Sequence, residues 1–127
     1  MVTEDNYVLR MFRILGHLNK RKRAKKFKQE KGPLLLIHGF STDSITWMSQ
    51  SDTDALTLAS QLFEDGYDVW FANMRGSRRS RTHISEDPDS CDDDYWEYDL
   101  TDMANYDVKA MIDRIRNAES GLGESDC

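Results

Sequence analysis

Hydrophobic positions along the chain alternate between two periods. Tyr7 to Leu15 is rich in strand formers and follows the turn signal Asp5-Asn6, so a hairpin is expected there. Leu34-Leu35-Leu36-Ile37 is a short apolar run without alternation, the pattern of a strand buried on both faces in a parallel sheet. From Asp52 to Glu64 the period becomes helical, with Ala55, Leu58, Ala59 and Leu62 on one face, Ser51 or Asp52 as cap and Gly66 as the residue after the end. Tyr67 to Phe71 reads as another strand, and Ala72 to about Asp94 as a long irregular stretch. A second helix is predicted from about Asp99 to Asn117. Its inner stripe is Leu100, Met103, Ala104, Asp107, Val108, Met111, Ile112 and Ile115, with Asp107 as the polar exception.

Strand, helix and strand with buried-type strands predict an α/β chain built on a right-handed βαβ unit. A further strand is expected to cover the last helix. Without it, Met103, Met111 and Ile115 are expected to be under-covered and the isolated chain marginally stable. Residues 17–31 read as a basic loop and 118–127 as a frayed tail.

The length, 127 residues, is that of one domain, and 39% hydrophobic with 31% charged residues is globular but polar. A net charge of −6 gives no global case for nucleic-acid binding. Charge is segregated: Lys20 to Lys31 is basic and Glu86 to Asp94 acidic, both reading as solvated loops. The basic run also fits a nuclear signal or an anionic-surface patch, whereas the acidic run lacks the spacing of a calcium loop. Cys91 and Cys127 form neither a disulfide framework nor a zinc spacing. No run of about 18 apolar residues exists, and Met1-Val2-Thr3-Glu4-Asp5 has no signal-peptide core.

The most informative candidate site is His38-Gly39-Phe40, at the C-terminal end of a strand, where ligand sites of such sheets lie. A turn there points backbone N–H groups into a crevice, and the Phe40 N–H can stabilise an oxyanion. A plain turn that needs a glycine is the alternative. Asn73 and Arg75, before Gly76, are placed to fix the loop after the next strand through hydrogen bonds to backbone carbonyls. His17, His38 and His83 are lone histidines, and no G-x-S-x-G nucleophile elbow occurs.

Taken together, these segments resemble the acid lipase family of α/β hydrolases, the group of gastric and lysosomal acid lipases. Val2 to Leu9 is similar to V-T-E-D-G-Y-I-L, with Asn6 for glycine. Leu34 to Trp47 is similar to L-L-x-H-G-L…S-S…W, with Phe40 for leucine. Gly66 to His83 is similar to G-Y-D-V-W-x-G-N-x-R-G-N-x-x-S-R-x-H, with Ala72 for a glycine and Ser77 for an asparagine. Tyr95-Trp96-Glu97-Tyr98 and Asp102 to Asp113 are similar to F-W-x-F and D-E-M-A-x-Y-D-L-P-A-x-I-D, with Lys109 for proline.

The resemblance implies a partial α/β-hydrolase fold that is truncated before the nucleophile elbow, with serine, acid and histidine all after the present end. It favours the oxyanion role for the Phe40 N–H, positioned by His38 and Gly39. It implies triacylglycerol or sterol ester as substrate, water as acyl acceptor, no cofactor and no metal. A peripheral lipid surface fits as partner, and nucleic acid does not. The chain by itself is then expected to be inactive. The competing functions are a non-catalytic remnant or interaction module and one half of a split hydrolase. Localisation stays open, since the family is usually secreted or lysosomal and no export signal is visible.

Overall fold

The centre of the sheet is β3 (Asp68–Phe71), the one strand whose residues are all buried. The computed structural model describes residues 1–16, 30–48, 57–91 and 93–120. In it β1 (Phe12–Arg13) pairs antiparallel with β3, and β2 (Pro33–Leu36) pairs parallel with it, giving a three-stranded sheet in the order β1-β3-β2. Register sets Leu36 beside Phe71 and Phe12 on the other side of the same residue. α1 (Leu58–Glu64) connects the parallel pair, so the βαβ unit is present.

Among the described residues α1 begins after Thr57, whose hydroxyl accepts from the Ser60 N–H, the usual way to satisfy an orphan donor. The expected caps Ser51 and Asp52, and Ala55, lie outside the described residues. The buried face of α1 is Ala59 and Phe63 with half-buried Leu62, while Leu58 is exposed and not on that face as expected. Phe63 stands four residues after Ala59 and fills the space above Val69 and Phe71. Gly66 ends the helix with φ 94°, a left-handed conformation that costs glycine nothing.

β2 is not buried on both faces. Among the described residues it is an edge strand, half-buried from Leu34 to Leu36, with Ile37 exposed just beyond it, because it has a hydrogen-bonded neighbour there on one side only. The doubly buried strand is β3 instead.

Two compact units are formed, one from Phe12–Ala72 and one from Met1–Met11 with Asn73–Cys127. In the second unit the chain opens on a hairpin. Val2 bridges Val8, the Asn6 N–H donates to Thr3 O, and Asn6 takes φ 72°. Asparagine is the residue after glycine that best tolerates this region, which accounts for Asn6 where the resembled pattern has glycine. The expected long strand from Tyr7 to Leu15 is reduced to two isolated bridges, Tyr7 to His83 and Val8 to Val2, and to the two residues of β1.

The second helix starts at Asp99, which accepts from the Thr101 and Asp102 N–H groups while Asp102 accepts from the Asp99 N–H, a reciprocal capping box. α2 (Leu100–Asp102) runs through a π-helical segment, Met103–Val108, into α3 (Lys109–Glu119). Asp107, Met111 and Ile115 are buried. The expected under-coverage of Met111 and Ile115 is therefore wrong. So is the inner placement of Leu100, Ala104 and Ile112, which are exposed: the wider π turn rotates the stripe relative to an unbroken period of 3.6. The basic run from Lys20 to Lys28, His17 and Cys127 lie outside the described residues. Among the described residues no helix is long and apolar enough to cross a membrane.

Candidate oxyanion site and arginine hub

At the C-terminal end of β2 the chain leaves the sheet through His38, Gly39, Phe40 and Ser41. The trans peptide between Gly39 and Phe40 is held from its carbonyl edge. Gly39 O accepts from the Thr42 hydroxyl at 3.0 Å and lies 2.8 Å from His38 Nδ1, which donates to it. A trans peptide points its C=O and N–H in opposite directions, so fixing the oxygen also fixes the aim of the Phe40 N–H. Among the described residues nothing accepts from that N–H. Phe40 itself is 85% exposed. Among the described residues, apart from Gly39 and its two chain neighbours, no atom lies within 4 Å of where a Cβ on Gly39 would stand.

The strained residue of the turn is Ser41, at φ 60°, not Gly39. Asp43 then accepts from the Ile45 N–H at 2.8 Å and starts a single 3₁₀ turn, Ser44–Trp47. Among the described residues the Phe40 amide is thus unengaged at a sheet end and oriented by its own peptide plane.

In the other unit Asn73, Arg75 and Gly76 come together. Buried Asn73 donates from Nδ2 to Arg10 O at 3.1 Å, and its carbonyl accepts from the Ser80 hydroxyl at 2.7 Å. Arg75 is 2% exposed. Its Nε and backbone N–H donate to the two oxygens of Asp107 at 2.8 and 2.9 Å, and Nη2 lies 2.7 Å from Asp107 Oδ1. Nη1 and Nη2 donate to Asp5 at 2.6 and 3.0 Å. The guanidinium lies 3.9 Å from the centre of the Tyr7 ring, a cation–π contact inside a desolvated site. The partners of Arg75 are thus carboxylates, not the backbone carbonyls expected of it. Gly76, at φ 73°, has the Tyr98 hydroxyl 2.0 Å from where a Cβ would be, so both its conformation and the close aromatic require glycine.

This hub shifts its own acidities. Burial works against the Arg75 charge, but the hydrogen bonds of Asp5 and Asp107 outweigh it and raise its pKa. Burial also opposes the Asp5 charge, yet hydrogen bonds from Arg75 and Thr3 hold that carboxyl below 3.8. At Asp107 burial wins over Arg75 and the pKa is raised. Burial pushes the Tyr95 phenol up to about 12, reinforced by Tyr98.

Asp5, Tyr7 and Asp107 were not among the expected site residues. The signal for Asp107 was visible, since a carboxylate on an apolar helical stripe demands a cationic partner. His83, met as a lone histidine, is tied at both nitrogens: Nε2 lies 2.9 Å from Asp5 O, and Nδ1 accepts from the Glu86 N–H at 3.0 Å. With the Nε2 hydrogen donated and the Nδ1 lone pair engaged, it is no free general base. Among the described residues no group of three or more His, Cys, Asp or Glu is arranged to hold a metal.

Residues 1–51 match the partial alpha/beta-hydrolase lipase region and residues 32–122 match the alpha/beta hydrolase fold. The gastric triacylglycerol lipase of Homo sapiens is 33% identical over 117 residues, covering 91% of this chain and 27% of that protein. The lysosomal acid lipase/cholesteryl ester hydrolase of Rattus norvegicus is 33% identical over 120 residues, covering 91% and 28%. Lipase 1 of Drosophila melanogaster is 35% identical over 115 residues, covering 91% and 23%. The chain spans about a quarter of the length of these relatives. The match over residues 32–122 identifies the chain as a member of the α/β-hydrolase family, similar to the acid lipases.

Proposed function

We propose that this chain supplies the oxyanion-stabilising end of a lipid ester hydrolase, with the Phe40 N–H as donor and His38 and Gly39 as the residues that aim it. When a serine oxygen adds to an ester carbonyl, negative charge gathers on the carbonyl oxygen. A donor already fixed toward that position stabilises the transition state without reorganising. The observation that carries this reading is the Gly39–Phe40 peptide, pinned through Gly39 O and free at its N–H.

The nucleophile lies outside these residues, since no G-x-S-x-G occurs in them. The acid and the histidine of the triad are read as lying outside them too. Asn73, Arg75 and Gly76 shape their loop and touch no substrate in this reading. The substrate class follows the names of the relatives, triacylglycerols and cholesteryl esters. In this reading the 127 residues by themselves turn over no ester.

The test is a chimera in which this chain replaces the matched quarter of the human gastric triacylglycerol lipase. The chain alone is expected to leave p-nitrophenyl esters intact, and the chimera to hydrolyse tributyrin. Turnover by the chain alone that a serine-directed inhibitor abolishes, or a folded chimera without turnover, contradicts the proposal.

A further inference from the structure

His83 sits on the wall of a cavity of about 360 Å³ whose other charged groups are mostly acidic. Its ring packs edge-on to Tyr7, with centroids 4.7 Å apart, beside the backbone bridge between the same two residues. Nδ1 is faced by two backbone donors, the Ser85 N–H at 3.3 Å and the Glu86 N–H at 3.0 Å, and by the Ser85 hydroxyl at 3.4 Å, which donates to Glu86 Oε1. It must therefore be an unprotonated acceptor, and Nε2 carries the hydrogen and donates to Asp5 O at 2.9 Å. One neutral tautomer thus ties three backbone positions, one in the opening hairpin and two at the start of the acidic segment.

We propose that His83 is a proton-operated latch for the segment that follows it. A proton taken from water onto Nδ1 turns the acceptor into a donor facing two donors. Both hydrogen bonds are lost, and the Ser85–Glu86 turn must leave the ring. The bond from Nε2 to Asp5 O survives, because that nitrogen keeps its hydrogen. The far end of the segment has its own anchors: Arg81 pairs with Asp89 at 2.8 Å, and Trp96 Nε1 donates to Pro88 O at 3.1 Å. The turn is therefore released between two fixed points.

The groups facing the ring are the carboxylates of Glu86, Asp94, Glu97 and Asp102, which line the same cavity. The Asp5 carboxylate is engaged by Arg75. The rings of Tyr7 and Tyr95 pack against the imidazole, and Tyr106 lines the cavity. The device does not depend on the ester-hydrolase reading, since it uses only residues within one unit of this chain.

The test is a titration of the purified chain by NMR from about pH 8 to about pH 5. The His83 ring and the Ser85 and Glu86 amides are followed together. The latch requires the His83 Nδ1 to be bare at the upper end. It also requires the protection of both amides against hydrogen exchange to fall at least ~10-fold with the midpoint of the His83 ring itself. His83→Asn keeps an acceptor at the Nδ1 position and has no proton to gain, so its amides are expected to stay protected across the range. Amides that do not respond through the His83 titration overturn the proposal, as does a proton on Nδ1 at the upper end or an unchanged response in His83→Asn. The wild-type titration decides by itself if the variant does not fold.

Discussion

In the Phe12–Ala72 unit the buried cluster is Ala59, Phe63, Val69 and Phe71, all apolar. In the unit of Met1–Met11 and Asn73–Cys127 the most constrained element is a guanidinium held between two carboxylates and set against an aromatic ring. The first arrangement is non-directional: any apolar group of the right volume serves. The second is directional, and every member is costly to leave without its partner. The candidate oxyanion amide grows out of the forgiving unit, at the open end of an edge strand. The hub ties the opening hairpin and the last helix to the loop that carries Arg75.

The tryptophans allow the two to be read separately, since Trp47 and Trp70 belong to the sheet unit and Trp96 to the hub unit. The largest stability effect is expected from Arg75→Met, which strands Asp107 without its cation and costs about 5 kcal/mol, the upper end for a broken buried ion pair. Urea unfolding followed at Trp96, with the other two tryptophans replaced by phenylalanine, measures it. A cost below about 1 kcal/mol would mean that the hub is a surface-type ion pair and that the contrast fails. Next is Phe63→Ala, expected to cost about 3 kcal/mol through the cavity it leaves and read at Trp70. If Phe63→Leu is equally damaging, the sheet unit is not the tolerant one.

Asp99→Ala removes the capping box and is expected to destabilise the chain less than Phe63→Ala. Loss of helix content on heating, followed by circular dichroism, is the measurement.

The smallest effect concerns acid. The Asp5 pKa is below 3.8 in the folded chain and about 3.8 when unfolded, so its contribution is present above 3.8 and is lost as pH falls through the lower folded value. Asp107, whose pKa is raised, works in the opposite sense and gains as it is protonated. Asp5→Asn is therefore expected to lose less stability than the wild type on going from neutral to strongly acidic solution. An identical acid response in the two chains would remove Asp5 from the hub's energetics.

Much of this was legible in the residues. The βαβ order, the hairpin at Asp5-Asn6, the helix end at Gly66 and the turn after β2 follow from periodicity and from residues with special backbone freedom. What escaped has physical causes. Leu58 and Phe63 are both apolar at helical spacing, and the pattern alone does not say which edge of the stripe meets the sheet. Leu34 to Ile37 reads the same at an edge as in the middle, because the number of neighbours is a property of the whole sheet. The π segment rotates the helix by an amount that no periodicity shows. The union of Asp5, Arg75 and Asp107 joins residues far apart in sequence, and only the unpaired look of Asp107 hinted at it.

The most direct test of the central claim concerns a single hydrogen. In the active chimera, Phe40→Leu keeps the backbone N–H, whereas Phe40→Pro removes it and leaves the carbonyl side of the Gly39 peptide unaltered. The expected result is that Phe40→Leu retains its kcat on tributyrin while Phe40→Pro loses roughly 100- to 1,000-fold, with KM changing much less. A Phe40→Pro chimera that is folded and keeps its kcat would show that this amide stabilises no oxyanion.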